Sequence, residues 1–358
     1  MSRVDRALVA LCAVLIGAAL VAAAPVLVSR SHRAVADTTP DRVAHPTLSG
    51  LSAGAALPVG RMATPTTVRA APPMASPAGR MAPTGVGVVT IDVYDPSRPT
   101  VAGGRMLSSS RHLPTMVRYP AVGPRGGQEV AGAPPASGPW PLVVFAHGYD
   151  VTPATYLHLL HAWAAAGFVV AAPSFPLEAA GGPLDESDLQ NEPADISTVI
   201  GALLQQSGAG DGPLAHLVDP RRIAVAGHSD GAMAALGAAF GREDPRIGPV
   251  ISMSGATSPG IPHADPHHPL LVIQGDADPI NAPVNGWYVY SAAARPRILL
   301  DLIGGGHLPP IADDNPWRPV VEAVTIDFLR HYFWLGSTVG DLARDGSHPG
   351  VSHIGGEA

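Results

Sequence analysis

Cysteine is nearly missing from this chain of 358 residues, where Cys12 stands alone. It lies in an apolar run near the N-terminus, so the folded part of the chain has no intramolecular disulfide and its core must supply the stability. Val9-Ala10-Leu11-Cys12 is also a poor lipoprotein signal, because the residue before such a cysteine should be small. A basic excess is missing too. The net charge is −7, and no Lys/Arg cluster is present to track phosphates, so nucleic acid is not an expected partner. No internal repeat is visible. What is plentiful is apolar residues, 46% of the chain, which suffices for one large core or two small ones.

The N-terminus carries Arg3 and Arg6, then runs from Ala7 to Val28 without a charge, and Arg30 and Arg33 close the run. This is longer than the roughly 7–15 residues of a signal-peptide apolar region and meets the roughly 20 needed to span a bilayer. Its length points to a membrane anchor, whereas Ala34-Val35-Ala36 ahead of Asp37 resembles a signal cleavage site. With either outcome the rest of the chain is expected outside the cytoplasm, attached to the membrane through residues 1–36 or released near Ala36. Residues 37–83, rich in Ala, Pro and Thr, read as a disordered linker. Residues 84–335 form the expected folded domain, and 336–358, rich in Gly, Ser and His, read as a flexible tail.

Within the domain, apolar segments of strand length alternate with helix-length ones, the pattern of βαβ units around a mainly parallel sheet. The fold class is therefore α/β, with helices on both faces of the sheet. Gly85–Val93 and His112–Tyr119 read as an antiparallel lead-in. Pro141–Ala146 reads as a strand buried on both faces, Pro153–Ala166 as a helix ended by Gly167, and Arg222–Ala226 as a strand running into a helix at Gly231–Phe240. Further strands are expected at Leu270–Gln274 and Arg297–Ile303, and a last helix at Trp317–Trp334.

Between Arg222–Ala226 and the Gly231 helix stands Gly227-His228-Ser229-Asp230-Gly231. At a strand-to-helix junction, G-x-S-x-G has a mechanical meaning: the glycines permit a sharp turn that lifts the serine hydroxyl above the sheet. Such a hydroxyl needs an imidazole to take its proton and a carboxylate to orient that imidazole. Leu270–Gln274 ends in Gly275-Asp276-Ala277-Asp278, and Arg297–Ile303 ends in Gly304-Gly305-Gly306-His307. Acid and base thus follow the nucleophile at the C-terminal ends of strands, where open α/β sheets place their sites. Asp276 and Asp278 both qualify as the acid; Asp278 lies one step further into the loop, and Asp276 can support the turn. The backbone N–H of Asp230 and that of Tyr149, in the turn His147-Gly148-Tyr149-Asp150, are the expected donors to an oxyanion. His228 is expected to pack or make a structural hydrogen bond. His263, His267 and His268 are interrupted by prolines and read as a solvated loop, not a metal site.

These segments resemble the α/β-hydrolase superfamily across roughly Gly85 to Leu335. The closer likeness is to the branch of dienelactone hydrolases, platelet-activating-factor acetylhydrolases and cutinase-like polyesterases. It is carried by "PLVVFAHGYDVTPATY" at 141–156, "AGFVVAAPSFP" at 166–176, "NEPADISTVI" at 191–200, "GHSDGAMAAL" at 227–236 and "GDADPINAPV" at 275–284. The resemblance implies ester hydrolysis through an acyl-enzyme, with Ser229 as nucleophile, His307 as base and then acid, and Asp278 orienting it. It also favours Asp278 over Asp276. The chain departs from the cutinase-like enzymes in having no second cysteine. No cofactor is called for; the expected substrate is a small-molecule or lipid ester. Two readings compete: a thioesterase or peptidase with the same triad, and an inactive cell-envelope binding protein.

Overall fold

An unbroken apolar run such as Trp140–Ala146 is stable as a strand only when both of its faces are covered, so helices must pack on each side of the sheet that contains it. The computed structural model describes residues 85–124, 126–242, 244–256 and 267–357. The Ala7–Val28 run, Cys12, the 37–83 segment and His263 lie outside them. Among the described residues no helix is long and apolar enough to cross a membrane.

The strands are β1 (Gly85–Asp95), β2 (Thr100–Ala102), β3 (Arg105–Ser108), β4 (Arg111–Ala121), β5 (Val130–Ala131), β6 (Trp140–Ala146), β7 (Val169–Pro173), β8 (Val218–His228), β9 (Ile247–Met253), β10 (Leu270–Gly275), β11 (Arg297–Leu302) and β12 (Ser352–Glu357). The helices are α1 (Leu157–Ala165), α2 (Glu192–Gly208), α3 (Asp230–Leu236), α4 (Pro283–Ala292), α5 (Pro309–Ala312), α6 (Arg318–Tyr332) and α7 (Val339–Gly346). A 3-10 turn, Pro153–Tyr156, leads into α1, and a π turn, Gly237–Gly241, continues α3.

Ten strands form one sheet in the order β12-β11-β10-β9-β8-β6-β7-β4-β1-β5, and β2 and β3 make a separate hairpin. The block from β7 to β11 is parallel; β4 joins β7, and β1 joins β4, in antiparallel register. This is the α/β-hydrolase architecture, lead-in included. Along β6 the side chains alternate between two cores: Leu142, Val144 and Ala146 belong to the one that also holds residues of α2, α3 and α4, whereas Val143 and Phe145 belong to the one that holds residues of α1 and α6. Each fully buried Val, Leu or Phe contributes about 1.5–3 kcal/mol. On the α1–α6 side, Trp163 is fully buried and its indole N–H donates to Thr325 Oγ1 at 2.8 Å.

The C-terminal segment corrects the reading of 336–358 as a loose tail. Thr338 and Asp341 form a reciprocal capping box that starts α7, and Leu342 is buried. β12 then pairs antiparallel with β11 over six positions, Ser352 to Glu357, and buries Ile354. The physical reason is an edge: without β12 the outer backbone groups of β11 would be unpaired. His268 is a smaller correction to the solvated-loop reading. It is buried, its ring stands edge-on to Phe240 at 5.3 Å, and its Nδ1 bonds Gly248 O at 3.3 Å.

Candidate active site

The parallel strands β6, β8, β10 and β11 share a direction, so the turns that leave their C-terminal ends gather on one edge of the sheet. Those four turns hold every residue singled out from the sequence as a site candidate.

β8 ends at His228, and Ser229 takes φ 56° and ψ −122°, a conformation L-residues rarely adopt, before α3 begins at Asp230. The close approach explains both glycines of the motif. A Cβ at Gly227 would run into Gly231 O, and one at Gly231 into Ala146 O at the end of β6. Ser229 N–H donates to Met253 O at 3.0 Å, which pins the turn to β9. Asp230 N–H is the first amide of α3, one of the donors that a helix cannot satisfy internally.

The turn after β6 passes close to the same serine: a Cβ on Gly148 would lie 3.1 Å from Ser229 Cβ. His147 is fully buried, accepts Phe175 N–H on Nε2 at 3.1 Å and therefore carries its proton on Nδ1, which donates to Gly148 O at 2.8 Å. Burial lowers this imidazole's pKa to about 4, so it stays neutral. A trans peptide points its C=O and N–H in opposite directions. With Gly148 O drawn to His147, Tyr149 N–H is aimed away from that ring, and no protein acceptor for it is found among the described residues.

Asp278 is buried and its carboxylate is fully engaged. Oδ1 accepts Ile280 N–H at 2.8 Å and Asn281 N–H at 2.9 Å; Oδ2 accepts His307 Nδ1–H at 2.8 Å and Gln274 Nε2–H at 3.3 Å. Burial alone would raise its pKa, but the hydrogen bond and charge of His307 and the two backbone N–H groups outweigh it, and the pKa is lowered. Asp276 goes elsewhere: its Oδ1 accepts Gly304 N–H at 2.6 Å and braces the turn after β11. His307 is buried, and its C=O accepts His228 Nε2–H at 3.0 Å and the Ser254 hydroxyl at 3.3 Å. The rings of His228 and His307 lie 4.6 Å apart, which sets His307 beside the residue that precedes Ser229.

The structure thus gathers Ser229, Asp278, His307, Tyr149 and Asp230 at one edge of the sheet. Among the described residues Ser229 Oγ makes no hydrogen bond to His307; in unliganded sites this bond is often long and tightens once substrate binds. The Asp230 carboxyl lies beside the same centre. Burial, then the negative charge of Glu186, raises its pKa to about 6, against the opposing effect of His307.

Sequence reasoning missed three supporting side chains. His147 was legible only as part of a turn. Gln274, a buried polar residue ending an apolar strand, supports Asp278, and Asn281 Nδ2 donates to Ser254 O at 2.6 Å, tying the acid loop to β9. A polar residue closing an apolar strand is the signal that marks Gln274. Among the described residues no group of three or more His, Cys, Asp or Glu is arranged to hold a metal ion.

Comparison with known proteins agrees with this architecture. The chlorophyllase family model matches residues 127–255, which include the turn after β6 and the whole of the Ser229 motif. The solved ferulic acid esterase from Streptomyces cinnamoneus superposes with a TM-score of 0.58 at 22% identity, covering 73% of this chain and 94% of that one. No curated protein matches the chain.

Proposed function

We propose that this chain, which has the α/β-hydrolase fold, hydrolyses carboxylic esters through a covalent acyl-serine. The observation that carries this reading is the buried Asp278–His307 pair, joined at 2.8 Å, beside a strained strand-to-helix turn that displays Ser229. In acylation, Ser229 Oγ attacks the carbonyl carbon while its proton passes to His307 Nε2. Asp278 holds Nδ1–H and stabilises the imidazolium. The negative charge that forms on the carbonyl oxygen is met by Tyr149 N–H and Asp230 N–H, donors of a kind worth about 3–4 kcal/mol each. The C–O bond then breaks, and His307 returns its proton to the leaving alcohol. In deacylation a water attacks the same carbon, gives its proton to His307, and releases the acid as Ser229 is reprotonated.

The names of the two matches, a chlorophyllase family and a ferulic acid esterase, support ester bonds as the first substrates to try. An organophosphonate probe and p-nitrophenyl esters from acetate to palmitate, alongside a thioester and an anilide, test the reading. Ester turnover should exceed the other two, and Ser229→Ala should lower kcat on the order of 10⁶-fold. Equal labelling of wild type and Ser229→Ala would sink the proposal. We further propose that the catalytic domain works outside the cytoplasm, attached through Ala7–Val28 or released after Ala36. The N-terminal mass of native protein from cell fractions distinguishes the two, and recovery of the intact chain in the cytoplasm overturns both.

A further inference from the structure

Tyr156 has no role assigned above and His228 only a structural hydrogen bond to His307 O, yet both are buried at the centre of the site and joined to each other. Four groups are connected in series. Gly148 N–H lies 3.2 Å from Tyr156 Oη, Tyr156 Oη lies 2.9 Å from His228 Nδ1, and His228 Nε2 lies 3.0 Å from His307 O. The chemistry of the ends fixes every proton between them. An amide N–H only donates, so Tyr156 Oη accepts from Gly148 and keeps its own proton for His228 Nδ1. A carbonyl only accepts, so His228 must carry its proton on Nε2. The imidazole is then neutral, donating at one nitrogen and accepting at the other, and burial agrees by lowering its pKa to about 3, with the charge of His307 adding to the effect.

The ends of this series matter more than its middle. Gly148 is the residue whose peptide presents Tyr149 N–H. Its C=O is held by His147 and its N–H by Tyr156, so both of its polar groups are taken on the core side. His307 carries the base. Its C=O is held by His228, the residue immediately before Ser229. One continuous line of hydrogen bonds therefore links the oxyanion turn after β6, the elbow after β8 and the base loop after β11. Its rigidity is supported by packing, since the Tyr156 ring stands 4.7 Å from Phe145 and 5.6 Å from His228.

We propose that Tyr156 and His228 are positioning residues for acyl transfer, a strut that fixes the distance between the oxyanion donor and the base. The proposal rests on the ester-hydrolase reading for its kinetic consequence but not for its existence. Acyl transfer needs donor, nucleophile and base in register to within a fraction of an ångström, and a misplacement of about 1 Å can cost about 10²-fold. A strut of this kind acts on the transition state, so its loss lowers kcat and leaves KM nearly unchanged.

The test is a double-variant cycle of Tyr156→Phe and His228→Phe in the full chain, with His228→Asn in place of the second should it fail to fold. Each single variant is expected to lower kcat about 10- to 100-fold with KM within about twofold. Because the two residues act in series, the double variant should be no slower than the slower single one. Retained kcat with a lowered Tm makes the pair core packing and overturns the proposal, as do losses that multiply in the double variant. Nitrogen NMR of the imidazoles reads the strut without any substrate. In wild type His228 should show a protonated Nε2 and a hydrogen-bonded Nδ1, with the Nδ1 signal alone displaced in Tyr156→Phe. If wild-type protein neither hydrolyses esters nor takes the phosphonate, the functional reading fails, and the strut then stands or falls on that Nδ1 signal.

Discussion

Ser229 is held at φ 56° because the hydroxyl must rise above the sheet, and a non-glycine residue there costs about 1–3 kcal/mol. Glycine takes that conformation without strain but loses more entropy on folding, so Ser229→Gly should stabilise the fold by a net of about 1 kcal/mol. For a domain of this size that is a Tm rise of about 2–4 °C, with ester hydrolysis abolished. A calorimetric scan showing no rise removes strain from the account of the elbow. The two aspartates of the Gly275–Asp278 turn separate as cleanly. Asp278 accepts from the imidazole, and Asn there can offer Nδ2–H toward Nδ1 and favour the wrong tautomer; Asp278→Asn should lower kcat on the order of 10⁴-fold. Asp276 only accepts Gly304 N–H, so Asp276→Asn should keep kcat within about threefold and cost about 1 kcal/mol of stability. Reversed kinetic effects would exchange their roles.

At the scale of elements, β12 is the segment that composition hides. Ser352-His353-Ile354-Gly355-Gly356 offers one apolar side chain and no alternation, so nothing local marks a strand; what makes it one is the unpaired edge of β11, a feature of the assembled sheet. Ile354 is buried against the same core as Leu342 and Phe328. Ile354→Ala should cost about 2–4 kcal/mol, and a chain ended at Leu335 should lose the edge and aggregate on mild heating. Urea midpoints and light scattering check the two, and a shortened chain as stable as the full one would return 336–358 to the status of a tail. The parallel core was legible because each strand is an apolar run bounded by glycine or proline, and the order Ser229, Asp278, His307 was legible because each residue ends such a run. The Gly148–Tyr156–His228 series was not, since hydrogen bonds between residues 8 and 72 positions apart leave no periodic trace in sequence.

The whole molecule carries an acidic interior whose charge depends on pH. Glu178 and Glu192 are completely buried, and none of their four carboxyl oxygens finds a hydrogen-bond partner among the described residues. Burial first, then the negative charges of Asp230, Asp188, Glu186 and Asp185, pushes the Glu178 carboxyl up to about 9 from an ordinary value of 4.5; Glu192 moves in the same direction, by burial and then by Glu178. A carboxyl with a raised folded pKa holds its proton longer in the folded state than in the unfolded one. Its favourable state is complete below 4.5, and stability is lost progressively as pH rises from there through about 9. Glu178→Gln removes that dependence, so its advantage over wild type should grow by about 5 kcal/mol between pH 5 and pH 9. Urea unfolding at the two pH values measures it, and a constant difference would mean that Glu178 ionises normally.

The same interior is anchored by arginine ion pairs, since the chain has 22 arginines and no lysine. Arg111 is fully buried and binds two carboxylates at once: Asp188, bidentate at 2.9 and 2.7 Å, and Asp195, at 2.8 and 2.6 Å, while Arg98 also reaches Asp195 at 2.6 Å. The cluster ties β4 to α2 and to the segment that carries Asp188 and, upstream, Glu178, whose C=O accepts Asp150 N–H next to Tyr149. Arg111→Met strands two buried carboxylates with only partial compensation from Arg98 and Asn191, and should cost about 3–5 kcal/mol. Replacing the whole set, Arg111→Met with Asp188→Leu and Asp195→Leu, removes the desolvated charges together with their partner, while Arg98, partly exposed, turns to solvent. The triple variant should therefore be more stable than the single one, by about 2 kcal/mol or more. Urea midpoints with unchanged m-values decide the matter: a triple variant weaker than Arg111→Met would mean that the ion pairs themselves, and not the cost of breaking them singly, hold this side of the molecule together.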